Sequence, residues 1–401
     1  MMKIKVNIML TKLLMGILIL TTCQKEKEAG PEITVGDASA QRSSAETTMT
    51  FQVYLNKTSG STVSFDYVLQ DGTAKAPGDY TSSSGTITIQ PDQAKSSFDV
   101  KIAGDPTDLR ESNLLFTVQL SNPVNCTLAS TSATGTIITE NGTYLPTDNT
   151  GYSTPVSYTG YTLVWSDEFS GNALDKSVWN QETGTGSNGW GNNELESYTS
   201  STKNTFVSDG NLIIEARQED MGTSKYTSGR MTTQGKKEFK FGRIDIRAKL
   251  PVGKGLWPAL WMLGANINDV GWPACGETDI MELIGKEPSS VSGTAHWGTS
   301  SSYQQKGSQY ILTTGDYSNE FHVFSIEWKQ DTISWYVDDN FYFKFKASDT
   351  GAYEYPFNAP QFFIFNVAVG GNWPGPPDNS TVFPERMFVD YIRVFQENAS
   401  R

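Results

Sequence analysis

Three acids within six residues, Glu277-Thr-Asp279-Ile-Met-Glu282, are the side chains of this sequence best placed by type and spacing to move protons. On a regular strand alternate residues share a face, so Glu277 and Asp279 would point one way and Glu282 into the opposite, apolar side. A carboxylate buried there without a partner is costly. One extra residue in the pleat, a β-bulge near Ile280 or Met281, would return Glu282 to the face of the other two acids and leave the apolar pair to fill the core. Three adjacent carboxylates repel, so at least one should hold its proton near neutrality. In such a set one carboxylate can attack an anomeric carbon while a protonated one delivers its proton to the leaving oxygen, the chemistry of glycosidic bond cleavage. A solvated acidic edge strand or a calcium site would use the same residues. The spacing alone decides neither between these readings nor which glutamate has which part.

The elements that must position these acids are strands. Runs with alternating apolar residues recur from Tyr161 onward: 212–217, 241–250, 324–328, 333–337, 362–367 and 387–395. No long segment of helical period interrupts them, which implies a large antiparallel sandwich of jelly-roll type whose sheet face can host a groove. All ten tryptophans and both histidines lie after residue 160, so the chain divides into parts with different tasks. A net charge of -13 disfavours nucleic acid, whose phosphates call for clustered Lys and Arg. Two histidines cannot build a three-His zinc site, and HExxH, GxSxG and P-loop patterns do not occur. Gly184-Thr-Gly-Ser-Asn-Gly189 matches a dinucleotide fingerprint, but Trp190-Gly-Asn-Asn follows it instead of an apolar helix, so the match is accidental.

The acidic strand, preceded by Trp272-Pro-Ala-Cys-Gly276, resembles the active-site strand of glycoside hydrolase family 16 in its bulged, laminarinase-like branch. Trp165-Ser-Asp-Glu-Phe169, Trp190-Gly-Asn-Asn-Glu194, Tyr226-Thr-Ser-Gly-Arg-Met231, 253–261, 366–375 and 389–394 extend the resemblance over most of 158–397. It implies a concanavalin-like β-jelly roll in an all-β protein, with Glu277 as nucleophile, Glu282 as acid/base and Asp279 between them. It also implies that Asn193, Glu194, Arg230, His296 and Asn366 make polar contacts with sugar, and that Trp257, Trp261, Trp272 and Trp373 offer stacking faces. Trp165, Trp328, Trp335 and His322 read as packing. The family often carries a structural calcium remote from the chemistry, here expected on backbone oxygens of Glu168 and Gly210 and the Asp390 carboxylate; catalysis needs no cofactor. The expected activity is a retaining endo-hydrolase, acting as a monomer on β-1,3-glucan or mixed-linkage β-1,3-1,4-glucan. A sulfated or neutral marine galactan is the second substrate class, and a non-catalytic glycan-binding protein the contrasting reading.

Before this part, 33–140 alternates with period two, and Asp71-Gly-Thr-Ala-Lys-Ala-Pro-Gly-Asp-Tyr80 with Phe116-Thr-Val-Gln-Leu-Ser-Asn-Pro123 resembles Calx-beta modules. A smaller, N-terminal Ig-like β-sandwich follows from that. Its closing loop, Glu140-Asn141-Gly142, lacks the family's acidic run, so calcium is not expected there. With no tryptophan in the module to stack on a sugar, a spacer is preferred to a binding module. Residues 141–157 read as an exposed linker. At the front, Lys3, Lys5 and Lys12 precede the apolar run 13–20, and Thr21-Thr22-Cys23 resembles a bacterial lipoprotein box. The expectation is a signal over 1–22, lipidation at Cys23, a tether over 23–32 and an exported enzyme at the bacterial cell envelope, touching membrane only through its lipid. Cys126 and Cys275 read as small buried hydrophobes.

Overall fold

The computed structural model describes residues 30–398, so the proposed signal and Cys23 lie outside the described residues. The chain forms two compact units. The first contains residues 30–40, Thr47–Ala103 and Leu114–Ile137. It pairs a four-stranded with a five-stranded sheet. Along the strand Thr47–Leu55, Met49, Phe51, Val53 and Leu55 are buried while the residues between them are largely exposed. That alternation is what a strand with one face on a core requires. Phe51, Phe65, Tyr80 and Phe116 fill the core.

This compact unit is not continuous in sequence. Gln41–Glu46 and Gly104–Asn113 group with the second unit, within which Arg110 is buried and pairs with the buried Glu215 at 3.2 Å.

The second unit holds a seven-stranded and an eight-stranded sheet. The strands expected from the alternating runs are present, among them Gly242–Lys249, His322–Lys329, Thr332–Val337, Gln361–Val369 and Glu385–Glu397. The core between the faces includes Ile244, Ile246, Leu260, Met281, Trp328, Trp335, Phe363 and Val394. The seven-stranded sheet runs in the order Asn180–Gln181, Arg230–Thr232, Gln361–Val369, Leu256–Gly264, Glu277–Glu282, Ser290–Thr299, Ser302–Ile311. Its middle strands carry the chemistry described below. Gly184–Gly189 leads into a tight helical turn, Gly189–Asn193, and not into the helix of a dinucleotide site.

Most of the segment 141–157 is exposed, and it is tied to the second unit at a few points. Thr154 is buried, with its N–H donating to the Tyr391 hydroxyl at 2.9 Å. Gly151 bridges Phe321, and just beyond the segment the Tyr158 hydroxyl donates to Asp245 at 2.7 Å. Proline and glycine content suggested a loop, and where this loop is buried, at Thr154, its backbone groups find partners in Tyr391 and Arg393. His322 is structural as expected, its Nδ1 lying 2.7 Å from Asp338.

Candidate active site

The catalytic-strand candidate, Glu277–Glu282, lies between Leu256–Gly264 and Ser290–Thr299. Against the first neighbour Leu260 pairs with Met281 and Trp261 with Asp279, so Ile280 is the extra residue. Against the second, Asp279 pairs with Thr294 and Glu282 with Ser292, three steps facing two. This is a β-bulge at the position the apolar pair suggested. Ile280 and Met281 are buried in the core, while Glu277, Asp279 and Glu282 all line one cleft of about 910 Å³. The bulge is held from the opposite sheet, where the Trp335 indole N–H donates to the Asp279 carbonyl at 2.8 Å.

Each acid has a specific partner. The Trp272 indole N–H donates to Glu277 Oε2 at 2.9 Å, and the Trp257 indole N–H to Glu282 Oε1 at 3.0 Å. His296 Nε2 stands 2.6 Å from Asp279 Oδ2 and 3.7 Å from Glu277 Oε1. On the far side of the ring Nδ1 meets the Tyr303 hydroxyl at 2.5 Å, and that hydroxyl donates to Gln305 Oε1. Since the tyrosine proton is spent on Gln305, Nδ1 must carry the hydrogen of this contact. The Nε2–Asp279 contact then contains one proton, held by whichever of the two is the stronger base.

The electrostatics follow from burial and crowding. Burial, then the charge of Asp279, pushes Glu277 up to about 7, against the pull of His296, Trp272 and Arg230. Burial holds Asp279 well above the usual carboxylate range. Glu282 is held high by burial first and Asp279 next, with His296 and the Trp257 hydrogen bond acting the other way. A site with one carboxyl poised near neutrality and another kept protonated can supply a nucleophile and an acid together.

The cleft walls are aromatic and amide-rich, as a neutral polymer needs. Trp257 and Trp373 meet edge to face, centroids 5.5 Å apart, and Trp272 stacks on Tyr303 at 5.1 Å. Arg230 lies over the rings of Trp190 and Trp261 and its Nε donates to Glu182 at 2.6 Å. The Trp261 indole N–H donates to Asn366 Oδ1 at 2.8 Å. Asn193 does not line the cleft: its amide donates to Asn372 at 2.9 Å. Positive φ at Trp190, Gly191 and Asn193 turns the chain so that Asn192 and Glu194 face the cleft instead. Trp190, Asn192 and Tyr303 line the site without having been foreseen in it. Trp190 and Asn192 sat in a quoted motif, whereas nothing near Tyr303 in sequence marks it.

Two residues expected to hold calcium stand beside guanidinium groups. Asp390 was to be the charged ligand, but Arg247 Nη1 donates to its Oδ2 at 2.7 Å. Glu168 is gripped by Arg393 through both carboxylate oxygens. One shared carboxylate and two backbone oxygens would leave the rest of the roughly six to eight oxygen ligands of a calcium ion to water, and two guanidinium groups already stand beside them.

Comparison with known proteins falls on the same residues. The model of the glycosyl hydrolases family 16 matches 192–393, and that of the Calx-beta domain matches 26–142. A glucan endo-1,3-beta-glucosidase A1 of Niallia circulans is 42% identical over 269 residues, 62% of this chain and 39% of that protein. A beta-glucanase of Rhodothermus marinus is 41% identical over 251 residues, 59% of this chain and 85% of that protein. The solved catalytic domain of an endo-1,3-beta-glucanase (laminarinase) from Thermotoga petrophila RKU-1 is 50% identical with a TM-score of 0.57, covering 59% of this chain and 98% of that one. The chain thus spans about two-fifths (39%) of the length of the Niallia circulans protein.

Proposed function

The chain belongs to the glycosyl hydrolases of family 16, and from that premise we propose that it cleaves β-1,3-glucan, or mixed-linkage β-1,3-1,4-glucan, as a retaining endo-hydrolase. The observation that carries the reading is the bulge, which sets Glu277 and Glu282 on one cleft wall with the Asp279–His296 contact beside them. In the first step a Glu277 oxygen bonds to the anomeric carbon as the carbon–oxygen bond to the leaving sugar breaks. The proton from Glu282 goes to that leaving oxygen. In the second step Glu282 takes a proton from water, whose oxygen displaces Glu277 and restores the anomeric configuration. The aromatic walls and their amide partners would hold the neutral chain.

A sulfated substrate is the weaker reading, because the cleft cations are already paired: Arg230 with Glu182 and Lys306 with Asp349. The tests are product analysis on laminarin, barley glucan, agarose and carrageenan, and the variant Glu277→Gln. Cleavage of the two glucans with net retention is expected, and the variant should bind laminarin oligosaccharides without turnover. Turnover by Glu277→Gln, or cleavage of agarose or carrageenan alone, overturns the assignment. The apolar run before Cys23 supports a further part of the reading, a lipid anchor at the cell envelope. Incorporation of labelled fatty acid that is lost in Cys23→Ser tests it.

A further inference from the structure

Beneath one wall of the cleft lies an acid that the reaction above does not use. Glu196 is fully buried, at 0% exposure. Its Oε2 accepts the Val369 backbone N–H at 2.6 Å, while among the described residues no donor reaches its Oε1. What does stand within hydrogen-bonding reach is the carboxylate of Glu194, which lines the cleft. Two carboxylates in contact repel, and a buried oxygen without a donor is costly. A single proton between them removes both penalties, and it belongs on the acid with no access to water.

The rest of the network runs in one direction from that proton. Glu194 accepts from the Tyr198 hydroxyl at 3.1 Å and from the Asn192 amide at 3.2 Å. The Tyr198 oxygen accepts from the Asn366 amide at 3.1 Å, and the Asn366 carbonyl accepts from the Trp261 indole at 2.8 Å. We propose that Glu196 is a neutral carboxylic acid donating its proton to Glu194, and that it acts as a positioning residue for glucan recognition by fixing Glu194, Asn366 and Trp261 at the cleft wall. Burial and the Glu194 charge, which hold Glu196 well above the usual carboxylate range, agree with this. Glu194 thereby faces the sugar as an anion that only accepts hydrogen bonds, a match for a hydroxyl group and a mismatch for a sulfate ester.

The inference rests on the glucan reading of the cleft, and its test separates the two. Two variants of similar size differ in what they keep: Glu196→Gln retains a neutral donor, and Glu196→Met retains none. On laminarin Glu196→Gln should stay within about threefold of the wild-type KM, whereas Glu196→Met should raise KM about tenfold, equal to ~1.4 kcal/mol, with kcat little changed. The infrared difference spectrum of wild type minus Glu196→Gln at neutral pH should contain the carbonyl stretch of a protonated carboxyl, a signature a merely packed side chain would not supply. Absence of that band, or KM values that do not distinguish the two variants, overturns the proposal. Should Glu196→Met fail to fold, the band and the Glu196→Gln KM still decide. A wild-type protein inactive on every glucan would instead sink the substrate reading and leave the band to judge the acid pair.

Discussion

Replacing Trp272 by Phe should move the acid limb of the pH profile and leave the alkaline side almost untouched. The indole N–H donates to Glu277 Oε2 at 2.9 Å, and the ring stacks on Tyr303. Phenylalanine keeps an aromatic face and removes only the donor. A hydrogen bond to a charged group contributes about 1.5–3 kcal/mol. Because Trp272 is 47% exposed, water can replace part of that bond, so the low end applies. At ~1.4 kcal/mol per unit, the Glu277 carboxyl rises by about one pH unit, from about 7. If Glu277 must be ionised to attack, kcat/KM below the limb falls about tenfold and recovers as pH passes the new value. The assay is reducing-sugar release from laminarin across the limb. Stability should shift in the same window. A carboxyl whose folded pKa is raised keeps a proton that the unfolded chain gives up, so stability is lost as pH rises from the unfolded value, 4.5, through about 7. Glu277→Gln should remove the share of that slope that Glu277 contributes. A loss of activity by the same factor at every pH would refute the link between the indole and the nucleophile.

Glu282→Ala should lose cleavage of glucan, and azide should restore cleavage of an activated aryl glycoside by attacking the glycosyl-enzyme in place of activated water; failure of the rescue removes the acid/base assignment. Tyr303→Phe frees His296 Nδ1 from its acceptor, so the proton of the Asp279 contact loses its fixed place and kcat should fall roughly tenfold for one hydrogen bond. A wild-type kcat would mean that Tyr303 does not set the tautomer. Because Arg247 already neutralises Asp390, a chelator should leave the melting temperature unchanged, and a clear drop would establish a structural calcium.

The site was legible in sequence where the governing rule is local. Period two fixes which side chains share a face, so the offset of Glu282 and the apolar Ile280-Met281 pair together required a bulge, and the register contains it. The same rule located the strands of both units. It failed where the backbone leaves the strand: left-handed residues in the turn Gly189–Asn193 exchange the roles expected of Asn193 and its neighbours. It also could not assign polar atoms of aromatic residues. Trp257 and Trp272 were expected to offer faces, yet their indole N–H groups hold the two glutamates. Tyr303 reaches His296 across a hairpin pairing, Gly298 with Tyr303, a contact no spacing announces. The exposed loop at 141–157 is anchored at Gly151 and Thr154, which its composition could not announce, since composition reports flexibility of the unfolded chain and not the partners available once the sheets form.

The bulge itself depends on a contact between sheets, and one glycine makes room for it. Trp335, buried on Thr332–Val337, donates to the Asp279 carbonyl beside the bulge. Opposite it, a Cβ on Gly293 would sit 2.5 Å from Trp335 Cδ1 and 2.9 Å from its Nε1, and would also strike the Tyr342 hydroxyl. None of these is the loose end of a flexible chain, so in Gly293→Ala the indole must shift. Overpacking of this kind costs ~2 kcal/mol, or about 4–8 °C in melting temperature for a domain of this size. The Asp279 carbonyl would then lose its donor, and the strand could relieve the strain by slipping toward a regular pleat, which carries Glu282 away from the cleft. Activity below the melting transition should therefore fall much further than folding does, by about a hundredfold if an acid catalyst is displaced. A variant that melts early but keeps its kcat would mean the bulge is fixed by its own two neighbours, with no help from the opposing sheet.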